Sequence, residues 1–409
     1  MVLEKPRVVV VSTYPPEHCG VGRDAFQLVE SLREMRDVSV MGNLTLGASP
    51  EEGIISRVWR KNDPLFPFKI VARINRGPHR SDTIVHVYHH FNLYGGPLSI
   101  PPFLLLLLML RIRGYPVVVQ PQSVVDSHKL GELNRADSVG LPRPLLAAGL
   151  QLFYRLLGGL GNRVAVCTPS MRSLLVERYG VDPERVWVVP VGWRAVASPP
   201  GEFAPRGTVA PSRHVVIVFH GFLDPTKGLG YLLDAFARVH LEYPESSLVF
   251  AGEVSPHLGS AGVAFVESLE KQVVALGLEG AVEFTGYVDD GRLGQVLSAA
   301  DLFVLPYTML ASHGGSASLS RVAGFGKPLI ASRISRFADE IIDGETGLLV
   351  TPGKPEEIAA AICRILSDPA LASRLGDNLR RLAHERTWKA SAELLDRDLY
   401  PSLPKGSAR

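Results

Sequence analysis

Val304 to Ser332 reads VLPYTMLASHGGSASLSRVAGFGKPLIAS, and it holds a strand, a Gly/Ser turn, a helix start and a second strand in one run. Leu302 to Pro306 is short and apolar enough for a buried parallel strand. Gly314, Gly315 and Ser316 form a turn whose backbone can take conformations closed to other residues. Ser318 to Phe325 then begins a helix whose first N–H groups face back toward the turn, where aligned peptide dipoles stabilise a phosphate or carboxylate. Gly326 and Pro328 end that helix, and Leu329 to Ser332 starts the next strand. An ordinary α/β crossover turn has the same composition, so this stretch alone leaves an anion loop and a plain turn both open.

The surrounding chain has room for two domains of ordinary size in its 409 residues. With 43 Lys+Arg against 41 Asp+Glu, the formal net charge of +2 argues against a general nucleic-acid binder and for small-molecule partners. Hydrophobic residues make up 46%, enough to fold. Cys19, Cys167 and Cys363 are few, distant and odd in number, which gives no disulfide framework and no zinc spacing, and a reducing, cytoplasmic setting fits best. The N-terminal apolar run, Val8 to Val11, is too short for a signal peptide and reads as a first strand. Phe103 to Leu110, FLLLLLML, falls far short of the ~20 residues of a spanning helix. It reads as a buried helix, with Arg111 and Arg113 behind it offering peripheral contact with lipid head groups through 103–113 as the alternative.

Upstream, strand signals at Arg7 to Ser12, Val38 to Met41, Thr83 to Tyr88 and Pro116 to Val119 alternate with helical or mixed segments, which predicts a doubly wound α/β sheet. Gly20 and Gly22 open the first helix and bring its backbone close to the carboxyl end of the first strand, where ligands bind in such sheets. HVYHHFNLYGG, residues 86–96, places His89 and His90 at a strand end, where imidazoles can bond sugar hydroxyls or phosphate. A metal site there lacks a third ligand, because His86 and His89 point to opposite sides of a strand. Gln122, in the loop after Val119, has an amide suited to hydroxyls or to loop backbone. Strand, helix and strand from Arg163 to Val191 close the first half, and the Pro- and Gly-rich residues 197–213 read as a linker. The second half opens with the strand His214 to Phe219 and then HGFLDPTKG, residues 220–228, where Lys227 stands at a strand-to-helix turn between glycines. Such a lysine reaches a diphosphate as a point charge or is simply solvated. Asp289 and Asp290 read as a helix N-cap, and the last helix, from Trp388, is long enough to return to the first domain.

Taken together, STYPPEHCGVGRDAFQLVESL, HVYHHFNLYGG, GFLDPTKGLGYLLDAF, VEFTGYVDDGRLGQVLSAADLFVLPY, GFGKPLIAS and DGETGLLVTPGKPEEIAAAI resemble, in this order, the retaining glycosyltransferases of family 4, and the likeness covers nearly the whole chain. The resemblance implies the GT-B fold, α/β, with two doubly wound Rossmann-like domains facing each other across a cleft. It implies an N-terminal acceptor domain over 1–196, a nucleotide-sugar domain over 214–385 and a C-terminal helix over 386–409. It also implies transfer of a sugar from a UDP- or GDP-sugar to a glycan, lipid-linked or small-molecule acceptor with retained configuration, with no further cofactor and no metal.

Carried over residue by residue, the resemblance puts Lys227 on the donor diphosphate, Gly20 and Gly22 under the phosphates, and Tyr287 and Val288 beside the nucleobase. Gly221 and Phe222 fall in the same donor loop. Two glutamates usual in the family fall here on His313 and Arg321, its loop arginine on Phe222, and a histidine on Gln122. Arg321 can still clamp a phosphate or donor carboxylate in two-point fashion. The expected set is therefore Lys227, Arg321 and His89 for catalysis; Gly314, Gly315, Ser316, Ser318 and Leu319 as a phosphate cradle beside His313; and His89, His90 and Gln122 for the acceptor. The four departures also fit a catalytically silent chain that binds a sugar nucleotide or a partner enzyme.

Overall fold

The computed structural model describes residues 5–77, 82–132, 142–196, 214–255 and 258–404; the inferred linker, 197–213, lies outside them. The described chain divides into two compact units. One holds the residues through Gly192, then Ala311–Gly315, then those from Trp388 onward; the other holds Trp193–Leu310 and Ser316–Thr387. The boundary thus cuts through the Val304 to Ser332 stretch.

In the first unit, β1 (Arg7–Val11), β2 (Val38–Asn43), β3 (Glu51–Glu52), β4 (Ile55–Trp59), β5 (Thr83–His89), β6 (Val117–Pro121), β7 (Ser123–Val125), β8 (Arg163–Val166) and β9 (Val186–Val188) follow in sequence. Eight of them form one sheet in the order β3-β4-β2-β1-β5-β6-β8-β9, parallel except where β3 meets β4. The central strands are valine-rich and buried along their length, as parallel strands covered on both faces must be. The helices α1 (Gly20–Leu32), α2 (Phe66–Ile74), α3 (Ile100–Ile112) and α4 (Arg143–Leu160) cross between strands, with α3 packed on both α2 and α4. Four residues of the expected buried helix, Phe103, Leu106, Leu107 and Leu110, do face the core of this unit. The C-terminal helix Trp388–Leu394 packs on α1, and its continuation is fastened by the buried Arg36 guanidinium, which donates to the Asp396 carboxylate and to the Pro6 and Asp396 carbonyls.

The second unit is a six-stranded sheet of β10 (Val215–His220), β11 (Ser246–Ala251), β12 (Val282–Phe284), β13 (Leu302–Leu305), β15 (Leu329–Ser332) and β16 (Leu348–Val350). The strand β14 (Ser312–Gly314) is not among them. Their order, β12-β11-β10-β13-β15-β16, is parallel throughout. Its own core is built on Phe219, Phe236, Phe250, Phe303 and Phe337. Both units are doubly wound, Rossmann-like sheets.

The sequence pattern hides β4, β7 and β14. Ser312 to Gly314 runs antiparallel to β7, pairing Ser312 with Val125, His313 with Val124 and Gly314 with Ser123. Three residues of mixed polarity carry no periodic signal, so only their partner strand makes them a strand. The helix expected over Ser318 to Phe325 spans Ala317–Val322 and tightens to a 3-10 turn at Ala323–Phe325.

Candidate functional site

In an open parallel sheet the ligand crevice lies at the carboxyl ends of the strands where the order reverses. In the second unit that point falls between β10, whose successors run outward through β11 and β12, and β13, whose successors run the other way. The loops leaving these two strands are tied together. The Thr308 amide donates to the Thr226 carbonyl at 2.9 Å, and Gly228, at φ 69°, lies so close to Pro306 that an added Cβ would be 2.0 Å from its carbonyl oxygen. Gly221, at φ 145°, approaches the Ser318 hydroxyl in the same way, with a Cβ at 2.7 Å. Glycine is required at both positions because a side chain meets either strained backbone or occupied space.

These constraints bring Lys227, Gly221, Tyr307 and Ser318 together. Lys227 ends a short 3-10 turn capped by the Asp224 carboxylate, which accepts from the Thr226 amide at 2.7 Å. Its ammonium sits 3.9 Å from the centre of the Tyr307 ring, and the Tyr307 hydroxyl donates to Ser318 Oγ at 2.8 Å. Among the described residues no carboxylate pairs with this ammonium, and an aromatic face holds a cation without neutralising it, which leaves its field for an anionic ligand. Tyr307 is therefore the support of this site that the sequence reading missed, while Ser318 was expected there as part of the cradle. Nothing in the local pattern distinguishes Tyr307 from a tyrosine at the end of any buried strand.

Other candidates in this unit have protein partners. Arg321 donates to the Asp290 carboxylate at 2.7 Å, at the start of the helix Asp290–Ala299, which Asp289 caps by accepting from the Arg292 amide. Tyr287 is largely exposed just before that helix, Val288 is half-buried against the core, and Phe222 is half-buried beside Gly221. The Ser316 hydroxyl accepts from the Leu319 amide at 3.2 Å, so the expected cradle donor at Leu319 is engaged by its own helix cap.

His313, Gly314 and Gly315 group with the first unit instead. Gly314 sits in the ladder with β7, and the Gly315 amide donates to the buried Cys167 thiol at 3.0 Å. The five-residue cradle is thus divided between units, because strand pairing and a sulfur acceptor hold its first part while a helix cap holds the rest.

In the first unit the order reverses between β1 and β5. After β1, Gly22 lies against Thr13, where a Cβ would come within 3.1 Å of three Thr13 atoms, while a Cβ on Gly20 would meet nothing within 4 Å. Cys19 precedes α1 without a side-chain cap, so the first-turn amides at Gly20 and Gly22 lack a capping side chain. The preceding loop is braced by Glu17, which accepts from Asn43 and Lys61.

At the end of β5, His89 differs from what its sequence position implied. It is buried among Phe103, Phe153 and Phe91, ring centres 4.4, 5.0 and 5.3 Å away, and its Nδ1 has no hydrogen-bond partner. Burial, and then the neighbouring His90, push its pKa down to about 3, so the ring is neutral and apolar in its surroundings. An imidazole enclosed by three phenyl rings cannot reach an acceptor from this position. His90 and Gln122 are less buried; the Gln122 backbone N–H donates to the His89 carbonyl. His86 faces the other way, as strand alternation requires, and bonds Tyr400 and Gln120 at 2.8 Å each. Among the described residues no group of three His, Cys, Asp or Glu is placed to hold a metal.

Similarity to known proteins agrees with this architecture. The chain aligns with the D-inositol 3-phosphate glycosyltransferase of Rhodococcus opacus at 30% identity over 236 residues, 57% of this chain and 51% of that protein. It therefore spans about half the length of the curated relatives it matches. Sucrose-phosphate synthase from Thermosynechococcus elongatus shares the fold with a TM-score of 0.73 at 20% identity, covering 97% of this chain and 100% of that one. The Anabaena HepE protein, solved in complex with UDP-glucose, gives 0.69 at 17% identity over the same shares. These two-unit matches show the GT-B fold. Residues 202–382 match the family described as glycosyl transferases group 1.

Proposed function

We propose that this chain transfers a hexosyl group from a nucleotide sugar to an acceptor hydroxyl, with the anomeric configuration retained. The observation that carries the reading is Lys227, held over Tyr307 beside Gly221 and Ser318 at the switch point of the second sheet. In such a transfer the C1–O bond to the diphosphate breaks, the acceptor oxygen bonds C1, and the acceptor proton leaves to the departing phosphate or to solvent. The site's task is to stabilise charge growing on that diphosphate, for which a fixed ammonium suffices. Residues 214–385 are assigned to the donor and 1–196 to the acceptor, with the amides at Gly20 and Gly22 toward the donor phosphates. Arg321, His313 and the turn at Gly314 to Ser316 are assigned to the donor's outer contacts, and His90 and Gln122 to the acceptor.

The donor class is a UDP- or GDP-sugar, and the acceptor a glycan, a lipid-linked sugar or a small molecule. Three free cysteines support a reducing, cytoplasmic setting. Among the described residues no helix is long and apolar enough to cross a membrane, and Leu105, Leu108 and Ile112, exposed within 103–113, support peripheral contact with its inner face.

Release of UDP or GDP from a panel of nucleotide sugars, with candidate acceptors, tests the reading; a folded protein that turns over none of them overturns it. A thermal-shift panel of UDP, GDP, ADP and CMP identifies the nucleotide, since a ligand at 100 to 1,000 times its dissociation constant stabilises by ~3–4 kcal/mol. UDP comes first in that panel because a neighbour of the same fold was solved with UDP-glucose.

A further inference from the structure

The helices α3 and α4, packed on one another, each leave an apolar stripe uncovered. On α3, Leu105, Leu108 and Ile112 recur at helical spacing and are exposed, Ile112 by 74%. On α4, Leu145, Leu152 and Leu156 do the same, Leu152 by 60%. Single exposed leucines are normal, but two exposed apolar stripes on helices packed together are of the kind that marks an interaction surface.

The charge on these two helices has one sign. Neither α3 nor α4 contains an aspartate or glutamate, whereas Arg111, Arg143 and Arg155 stand on them and Arg113 caps α3. At the C-terminal ends of the two helices lies a cavity of about 400 Å³ lined by Arg111, Asn162, Arg163 and Arg185, with Ser402 and Leu403 from the returning C-terminal segment. The Asn162 side-chain oxygen accepts from the Val117 amide at 2.8 Å and fixes the pocket at the amino ends of β6 and β8. This is the edge of the sheet remote from the carboxyl ends where ligands of such folds bind. Arg163 is preset by bonds to Ser402 Oγ and to the Ser402 and Asn162 carbonyls. Arg185 keeps Asp182 3.6 Å away, in a half-exposed pair.

We propose that this face docks on a bilayer containing anionic phospholipid, with the α3 and α4 leucines entering the head-group boundary and the Arg111, Arg163 and Arg185 cavity receiving one lipid phosphodiester. A second copy of the chain is the less suited occupant, because two such surfaces would oppose arginine to arginine with no carboxylate on either helix. A bilayer carrying negative lipid answers both the apolar stripes and the arginine rim. The proposal extends the membrane contact through 103–113 read above, and it rests on no step of glycosyl transfer.

The test is sedimentation of the full chain, without donor or acceptor, with vesicles of phosphatidylcholine alone and of phosphatidylcholine with phosphatidylglycerol. Binding is expected only to the anionic vesicles, weakening as salt screens the arginines. Arg111→Glu is expected to weaken it about tenfold, and the pair Leu108→Glu with Ile112→Glu to abolish it, with circular dichroism unchanged because these positions are exposed. Leu152→Trp, a probe on α4, is expected to shift its emission to the blue on vesicle addition. Equal binding to both vesicles, no binding, or unchanged binding by the double variant overturns the proposal. So does a concentration-dependent dimer broken by Leu108→Glu, and so does displacement from vesicles by inorganic phosphate as completely as by the leucine substitutions. Because nucleotide release is measured separately, failure here leaves the glycosyl-transfer reading standing, and failure there leaves this one.

Discussion

The Lys227 ammonium rests 3.9 Å above the centre of the Tyr307 ring, and the same tyrosine donates its hydroxyl to Ser318. One side chain thus sets the height of the cation and ties it to the helix that follows. Lys227→Ala is expected to lower nucleotide release by about two to three orders of magnitude, the usual effect of deleting one charge-stabilising group. Tyr307→Leu keeps the ammonium and loses its platform, so a fall of about tenfold is expected. Steady-state kinetics on both variants separates the roles; equal losses would mean that Tyr307 acts on the fold and not through the lysine.

Gly228, next to Lys227, and Gly20, from the expected donor set, differ in a measurable way. Gly228→Ala forces a Cβ to within 2.0 Å of the Pro306 carbonyl at a positive φ, and is expected to destabilise the protein by about 1–3 kcal/mol. Gly20→Ala meets nothing within 4 Å, so stability should hold or rise by about 0.5–1 kcal/mol while donor affinity falls if the phosphates lie over α1. Denaturant titration and nucleotide binding, run on both, check the pair.

Acid should weaken the first unit before it reaches ordinary carboxylate pKa values. His86 and His89 are fully buried, and burial lowers them to about 4 and about 3. Their folded pKa values are depressed, so the stability they leave intact above pH 6.5 is lost as pH falls from there toward 4, when only the unfolded chain takes up the protons. Each histidine contributes a slope of up to about 1.4 kcal/mol per pH unit in that window. His89→Phe, which fits a site walled by three phenyl rings, is expected to remove one such slope in urea melts at pH 6.5 and pH 4.5.

The Arg36 and Asp396 pair fastens the C-terminal segment to the first unit. Burial alone would raise the Asp396 carboxyl, but bonds from Lys5 and Arg36 outweigh it and leave its pKa lowered. Removing Arg36 leaves the partly buried carboxylate with only the half-exposed Lys5, so Arg36→Ala is expected to cost about 3 kcal/mol in equilibrium unfolding. Because the folded pKa is depressed, the pair's contribution is present above the ordinary aspartate range and is lost as pH falls below it; Asp396→Asn should flatten that part of the profile.

Much of the second unit was readable from spacing. Buried valine and phenylalanine runs marked β10, β11 and β13, Asp289 marked its helix, and the glycines around Lys227 marked a turn where backbones come close, all through periodicity and local conformational preference. The cradle at Gly314 to Leu319 was read less well, since a glycine turn looks open in sequence whether or not its amides find partners. Here β7 takes Gly314, the Cys167 thiol takes the Gly315 amide and Ser316 takes that of Leu319. His89 failed for the same reason. A histidine at a strand end reads as a ligand, and only Phe103 and Phe153, from two other helices, turn it into core.

By itself, then, the sequence determined two doubly wound sheets and the turn that bears Lys227, because each depends on residues near one another along the chain. Tertiary structure alone decided that Tyr307 supports the lysine, that Asp290 holds Arg321, that Ala311–Gly315 joins the first unit, and that Arg111, behind FLLLLLML, shares a cavity with Arg163 and Arg185. Those outcomes depend on which strands lie side by side and which side chains meet across them, and no local pattern carries that information.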